Sequence, residues 1–304
     1  MRIDTTTPGT LTVLAGDVTV ASYVHAPTEV QLESPRPYAL LATTSGAAVT
    51  AYRPDDHVWH KGLSLALPVV GKHNFWGGPT YVHGEGYVQL PNNGAQTHRG
   101  FELAEVDGDG VARIVEILDW TAEDGSPVIV ERRTLTARSI DDGTWALTWH
   151  SALRNLTDGV LGFGSPTSKG RENAGYCGIF WRGPVTFQGG EILSPAGLAG
   201  DEARGEPGPW LAFVAPDRSA GVLVLDGAEA PNPWFARSEE YAGLNPAPFF
   251  YTETPLVPGE TLVLSAAVVV GDAEVASLAD TVGTALVAEL RATRNTIEET
   301  EITR

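Results

Sequence analysis

The sequence predicts an all-β protein, a large antiparallel two-sheet β-sandwich with one C-terminal helix, and three observations carry that expectation. The first is composition: 34 glycines, 21 prolines and 8 tryptophans in 304 residues describe many turns joining strands around an aromatic-rich core. The second is punctuation. Asp-Gly pairs fall at Asp107-Gly108, Asp124-Gly125, Asp142-Gly143 and Asp158-Gly159, with their glycines 17, 18 and 16 residues apart, and Asp-Gly suits the positive φ angles of tight hairpin turns. The third is a late change of period. Val275, Leu278, Val282, Leu286 and Leu290 mark one side of an amphipathic helix, about residues 273–292, which Asp272 is placed to cap.

Taken in order, residues 10–14, 18–24, 38–43 and 47–52 read as short strands separated by turn residues such as Ala15-Gly16-Asp17 and Ser45-Gly46. Residues 52–100 read as loop-rich because seven glycines, from Gly62 to Gly94, interrupt them. The regular Asp-Gly spacing over 101–159 then predicts a meander of unusually long strands. Within it Trp145, Leu147, Trp149 and Leu153 share one face, and Thr144, Thr148, His150 and Arg154 the other, as in a strand whose first face is core. Short strands follow at 178–182, 211–215, 221–225, 249–253 and 261–270, with loops at 171–173 and 232–235. A polar tail from Asn295 is expected to fray. No repeat, linker or composition shift marks a boundary, so residues 1–304 are expected to form one domain.

A net charge of -18 opposes a nucleic-acid partner, which requires clustered Lys and Arg. Cys177 is the only cysteine, so neither an internal disulfide nor a cysteine-based zinc cluster can form, which fits a reducing cytoplasm. No stretch approaches a membrane span, and no apolar run follows Met1-Arg2-Ile3-Asp4, so neither a membrane partner nor a cleavable signal is expected.

Five of the seven histidines, His57, His60, His73, His83 and His98, lie between Tyr52 and Gly100 among tryptophans, carboxylates and glycines. That mixture is typical of a lined pocket. Imidazole titrates near neutral pH, so His57, His60 and His98 with Glu85 are the candidate acid/base groups, expected to converge in one pocket with Arg99 holding an oxyanion or hydroxyl. The spacing of His57 and His60 also allows a metal pair completed by His83, His98, Glu85 or Asp56, although no strong zinc spacing is present and no metal or other cofactor is expected. Histidines that cap loops or hydrogen-bond in the core are the structural alternative.

Several stretches resemble a soluble family catalogued as "methane oxygenase PmoA". They are Asp55-Asp56-His57-Val58-Trp59-His60-Lys61-Gly62-Leu63, Asn74-Phe75-Trp76, Gly175-Tyr176-Cys177-Gly178-Ile179-Phe180-Trp181-Arg182 and Tyr241-Ala242-Gly243-Leu244-Asn245-Pro246. Val58, Trp59 and Lys61 depart from that family's usual Asp-His-Pro-His-His-Arg-Gly-Leu pattern. Methane oxidation would require membrane helices that this sequence lacks. The resemblance implies instead a β-supersandwich similar to the galactose mutarotase-like proteins, in a family associated with sugar catabolism.

The ligand expected on that basis is a small-molecule carbohydrate. Trp59, Trp76, Trp181 and Trp234 have the apolar faces that stack on a sugar ring, or alternatively pack in the core. Asp56, His83, Arg99, His150, Arg171, Glu172, Asn173 and Arg182 are the candidate hydroxyl ligands, with an ordinary solvated turn as the alternative for Arg171, Glu172 and Asn173. Acid/base chemistry on a sugar or a modified sugar such as a keto-glycoside, by epimerisation, elimination or hydrolysis, is the leading expectation. Non-catalytic carbohydrate binding and a metal-dependent enzyme built on His57 and His60 are the alternatives.

Overall fold

A computed structural model describes residues 1–197 and 200–298. Its larger sheet runs in the order Arg2–Asp4, Thr10–Ala15, Val18–Val24, Tyr38–Leu41, Leu63–Val70, Gly178–Arg182, Gly243–Pro246 and Trp234–Arg237. Leu161–Gly164, His73–Phe75 and Thr254–Leu256 join it off that path. The second sheet runs Glu191–Leu193, Trp210–Val214, Gly221–Asp226, Thr261–Gly271, Trp145–Asn155, Pro127–Ser139, Ala112–Thr121 and Ala95–Val106. The two inner faces share one core, in which Trp149 meets Tyr23 edge-on at 6.3 Å and Trp120 lies 4.8 Å from Phe75. The Trp145 indole donates to the Ala42 carbonyl at 2.8 Å, so even the aromatic donors are satisfied across the interior.

The meander forms as the punctuation predicts, with strands of 12, 10, 13 and 11 residues paired antiparallel. The turns work differently. Of the four Asp-Gly glycines only Gly125 has a positive φ, 84°. Elsewhere side chains close the turns: Asp107 Oδ1 accepts the Asp109 and Val111 amides at 3.0 Å, Asp141, one residue before the Asp142-Gly143 pair, accepts the Gly143 amide at 2.9 Å, and at Asp158-Gly159 Asn155 Oδ1 accepts the Thr157 amide at 2.8 Å.

Three expected elements differ. Residues 47–52 make only isolated bridges, Ala42 with Ala48 and Tyr52 with Lys61, and the strand expected at 249–253 is instead the short Thr254–Leu256. Trp234–Arg237 is a strand rather than part of a loop. The histidine-rich segment also contains Leu63–Val70, a strand buried at all 8 positions. Its sequence alternates Leu63, Leu65 and Leu67 with Ser64, Ala66 and Pro68, and both faces are covered, so the smaller residues are as buried as the leucines.

At the C-terminus Asp272 Oδ1 accepts the Glu274 amide at 2.9 Å. Two irregular turns, Val275–Leu278 and Ala279–Gly283, precede the α-helix Thr284–Glu298, which therefore starts later than expected and continues through Asn295. Residues 299–304 of the expected polar tail lie outside the described residues. Val275, Leu286 and Leu290 cover Ala146, Leu223, Ala267 and Val269 on the outer face of the second sheet. Among the described residues no helix is long and apolar enough to cross a membrane.

Candidate functional site

Four neighbouring strands of the larger sheet, Leu63–Val70, Gly178–Arg182, Gly243–Pro246 and Trp234–Arg237, carry the segments that enclose a cleft of about 410 Å³. Its lining includes His57, Trp59, His60, Trp76, Tyr87, Arg171, Tyr176, Phe235, Arg237, Glu240 and Tyr241. That size is in the usual range for a small-molecule site.

Residues 53–62 reach the cleft as a compact loop, closed by hydrogen bonds from His57 N–H to the Pro54 carbonyl at 3.0 Å and from His60 N–H to the His57 carbonyl at 2.9 Å. Beneath it the buried Arg36 guanidinium donates to the carbonyls of Trp59 at 2.8 Å and Trp76 at 2.9 Å, and to Ser64 Oγ at 3.2 Å. One side chain thus ties both cleft tryptophans to the larger sheet. Lys61 is also structural: its buried ammonium donates to the Val58 carbonyl at 2.9 Å and pairs with Glu33. Gly77 and Gly78, at φ 105° and 66°, let the chain pass against Trp59; a Cβ at either would lie 2.6 or 2.8 Å from that side chain.

The two histidines at the cleft are stacked, with centroids 4.6 Å apart and planes within 5°, and their partners set opposite tautomers. His57 Nδ1 lies 2.8 Å from Asp56 Oδ2. Burial works to raise the Asp56 pKa, but hydrogen bonding to His57 and the charge of Arg182 hold it below the ordinary value. The carboxylate therefore accepts the Nδ1 proton, and in the neutral ring the Nε2 of His57 is the nitrogen that carries the lone pair. His60 Nδ1 lies 3.1 Å from Arg182 Nη1. A guanidinium only donates, so His60 carries its proton on Nε2. Burial holds the His60 pKa well below 6.5, and the neighbouring His57, Arg182, Arg36 and Lys61 push it the same way, so the ring is neutral at pH 7.

Arg182 couples the two, donating to both Asp56 oxygens at 2.8 and 2.9 Å while its guanidinium lies 4.1 Å over the Tyr241 ring. Aromatic walls complete the cleft, with Trp76 4.4 Å from Tyr176, and Tyr176 5.6 Å from Phe235. Burial raises the Tyr241 pKa to about 12, which leaves its phenol a donor rather than a base.

A family model matches residues 10–281. The chain belongs to the family of unknown function DUF6807. No functionally curated protein matches it. Among solved structures, the Slr1438 protein from Synechocystis sp. PCC 6803 is similar over 83% of this chain and 92% of its own, at 11% identity and a TM-score of 0.37.

In this DUF6807 chain the expected single constellation divides. His57, Trp59, His60 and Trp76 line the cleft, with Asp56 and Arg182 bonded to its histidines. His98 does not join them. It belongs to the regular strand Ala95–Val106 of the opposite sheet, where its Nδ1 lies 2.5 Å from Glu116 Oε1 and its ring 4.4 Å from His25. The adjacent Arg99 points to the other side of that strand and pairs with Asp119 at 2.9 Å. Glu85 and His83 are exposed in the turn joining Thr80–Val82 to Gly86–Val88 and do not line the cleft.

His150 is buried on the opposite face of its strand from Trp149 and approaches Ser265 Oγ at 3.1 Å, so it does not share the histidine pocket. Glu172 and Asn173 are exposed in the loop beside Arg171 and outside the lining. Trp181 and Trp234 are core residues whose indoles donate to the carbonyls of Val49 at 2.9 Å and Gly208 at 2.8 Å.

Sequence reasoning assigned no site role to Tyr87, Tyr176, Phe235, Arg237, Glu240 or Tyr241, all of which line the cleft. Tyr176 and Tyr241 stand in the stretches that carry the family resemblance, which was the available signal. Among the described residues no three His, Cys, Asp or Glu side chains are grouped to hold a metal ion. The proposed third ligands His83, His98 and Glu85 lie outside the cleft lining, and both cleft histidines have Nδ1 engaged.

Proposed function

We propose that the protein is a carbohydrate-active enzyme that performs acid/base chemistry in this cleft. The observation that carries the reading is the stacked pair of opposite tautomers, His57 with a free Nε2 lone pair and His60 with a free Nε2–H. In this reading His57 Nε2 removes a proton from a sugar hydroxyl or from a carbon beside a carbonyl. His60 donates a hydrogen bond to the oxygen on which negative charge collects, and Asp56 stabilises the imidazolium that forms on His57. Epimerisation of a modified sugar and elimination from a keto-glycoside share that first step, and hydrolysis follows from it when water adds to the unsaturated sugar left after the leaving alcohol departs. Trp59, Trp76 and Tyr176 offer the ring-stacking faces.

The resemblance to the family catalogued as methane oxygenase PmoA, and through it to galactose mutarotase-like proteins and sugar catabolism, supports the same substrate class; it is an analogy of sequence and architecture and assigns no residue roles. A buried single cysteine, whose thiol burial pushes up to about 12, suits a cytoplasmic setting. Non-catalytic sugar binding would use the same aromatic walls but has no need of opposed tautomers. The test is incubation with a panel of glycosides, keto-glycosides and free sugars, followed by NMR for new sugar resonances and for deuterium entering from the solvent. The reading expects turnover or exchange in the wild type and its loss in His57→Ala; binding without either would establish the non-catalytic alternative.

A further inference from the structure

The cleft holds one positive charge that the protein does not neutralise. Arg182 is matched by Asp56 and Arg237 by Glu240. Arg171 lines the same cleft with no carboxylate partner among the described residues; its guanidinium lies 4.7 Å over the Tyr87 ring and donates to the Tyr87 hydroxyl. The Tyr87 and Tyr176 hydroxyls are 2.7 Å apart. Only one of their two hydrogens can lie between them, so one phenolic O–H has no acceptor among the described residues. The remaining N–H groups of Arg171 are in the same condition, and Arg237, whose guanidinium lies 5.8 Å from both Phe235 and Tyr241, spends one contact on the exposed Glu240.

This end of the cleft therefore offers donors with no matching acceptors, in a chain whose net charge is -18. An uncharged sugar supplies hydroxyls that both donate and accept and would leave the surplus unmatched. An anionic group accepts only, and two guanidiniums beside phenolic donors suit it. Burial weakens the hold of Arg237 on its proton, Tyr241 and Asp201 oppose that effect, and the nearby Arg204 and Arg171 add to it.

We propose that the ligand of this cleft is a sugar carrying a carboxylate or phosphate, with that group seated between Arg171 and Arg237 against the Tyr87 and Tyr176 hydroxyls. The proposal rests on the carbohydrate reading above. It is tested by calorimetric titration of the full chain and of Arg171→Gln and Arg171→Lys with glucuronate, galacturonate, their neutral parents glucose and galactose, glucose 6-phosphate, and malonate as an anion that is not a sugar.

The expected result is that uronates or the sugar phosphate bind about 10- to 100-fold more tightly than the neutral parents. Arg171→Gln should remove that preference and Arg171→Lys retain part of it. Whether uronates or the phosphate bind more tightly identifies the anionic group. Neutral parents that bind as tightly as the acids, or a preference that survives in Arg171→Gln, overturns the proposal while leaving the carbohydrate reading in place. Malonate binding that depends on Arg171, with no sugar of either charge bound, overturns the carbohydrate reading instead. No binding by any of these probes overturns both.

Discussion

Replacing His150 by Asn should flatten the pH dependence of stability without changing ligand binding in the cleft. Burial lowers the His150 pKa from the ordinary 6.5 to about 4. An unfolded chain therefore takes up the proton near 6.5 while the folded one resists it until about 4, so the associated stability is present above that window and is lost as pH falls through it. The linkage comes to about 2 kcal/mol on going from about pH 7.5 to about pH 5, and about 3 kcal/mol once the pH is below the folded value. Asn keeps a donor near Ser265 Oγ, which His150 Nδ1 approaches at 3.1 Å, but cannot titrate. Urea unfolding of both proteins at the two pH values measures the difference. Burial also lowers the pKa of His25, His60 and His73, so both proteins lose stability in acid; the wild type should lose about 2 kcal/mol more. Equal losses would refute the burial argument, and an effect of His150→Asn on ligand affinity would refute its placement away from the cleft.

Other perturbations separate positioning from chemistry. Once a substrate is found, His57→Ala should lower kcat by about 10²- to 10⁴-fold with little change in melting temperature. Asp56→Asn should also lower kcat, because the amide can donate to His57 Nδ1 and favour the wrong tautomer, and a pH–rate profile would show the altered base. Arg36→Met should cost about 3 kcal/mol or more in denaturant unfolding, since it leaves the buried carbonyls of Trp59 and Trp76 without their donor. Gly78→Ala should cost about 1–3 kcal/mol and weaken ligand binding measured by calorimetry, because the residue has φ 66° and its Cβ would press on the Trp59 ring. His98→Ala should reduce stability through its contact with Glu116 while leaving kcat unchanged in a steady-state assay.

The fold was legible where local chemistry and tertiary placement agree. The Asp-punctuated meander survives in the structure, and the face of Trp145–Asn155 that carries Trp145, Leu147, Trp149 and Leu153 is core as its alternation predicts, but the opposite face is buried as well, with Ala146, Thr148, His150 and Ala152 out of solvent. Leu63–Val70 was hidden because Pro68 interrupts the run and Gly62 and Gly71 on either side of it read as loop punctuation. At the site, the sequence brought His57 and His60 together because one short loop carries both. It also gathered His98 by density alone, and density does not show that a regular strand carries that residue to the opposite sheet. Arg237 and Glu240 carried no sequence signal, since they reach the cleft through pairing of Trp234–Arg237 with Gly243–Pro246, a relation visible only in three dimensions.

The acid/base account depends on two neutral imidazoles with opposite proton positions, and long-range ¹H–¹⁵N NMR of histidine-labelled protein near neutral pH reads those positions directly. His57→Asn and His60→Asn spectra assign the signals. The account predicts that His57 is protonated on Nδ1 with a free Nε2, and that His60 is protonated on Nε2 alone and stays so well below pH 6.5. The same tautomer at both residues, or a His60 already doubly protonated near neutral pH, would contradict it.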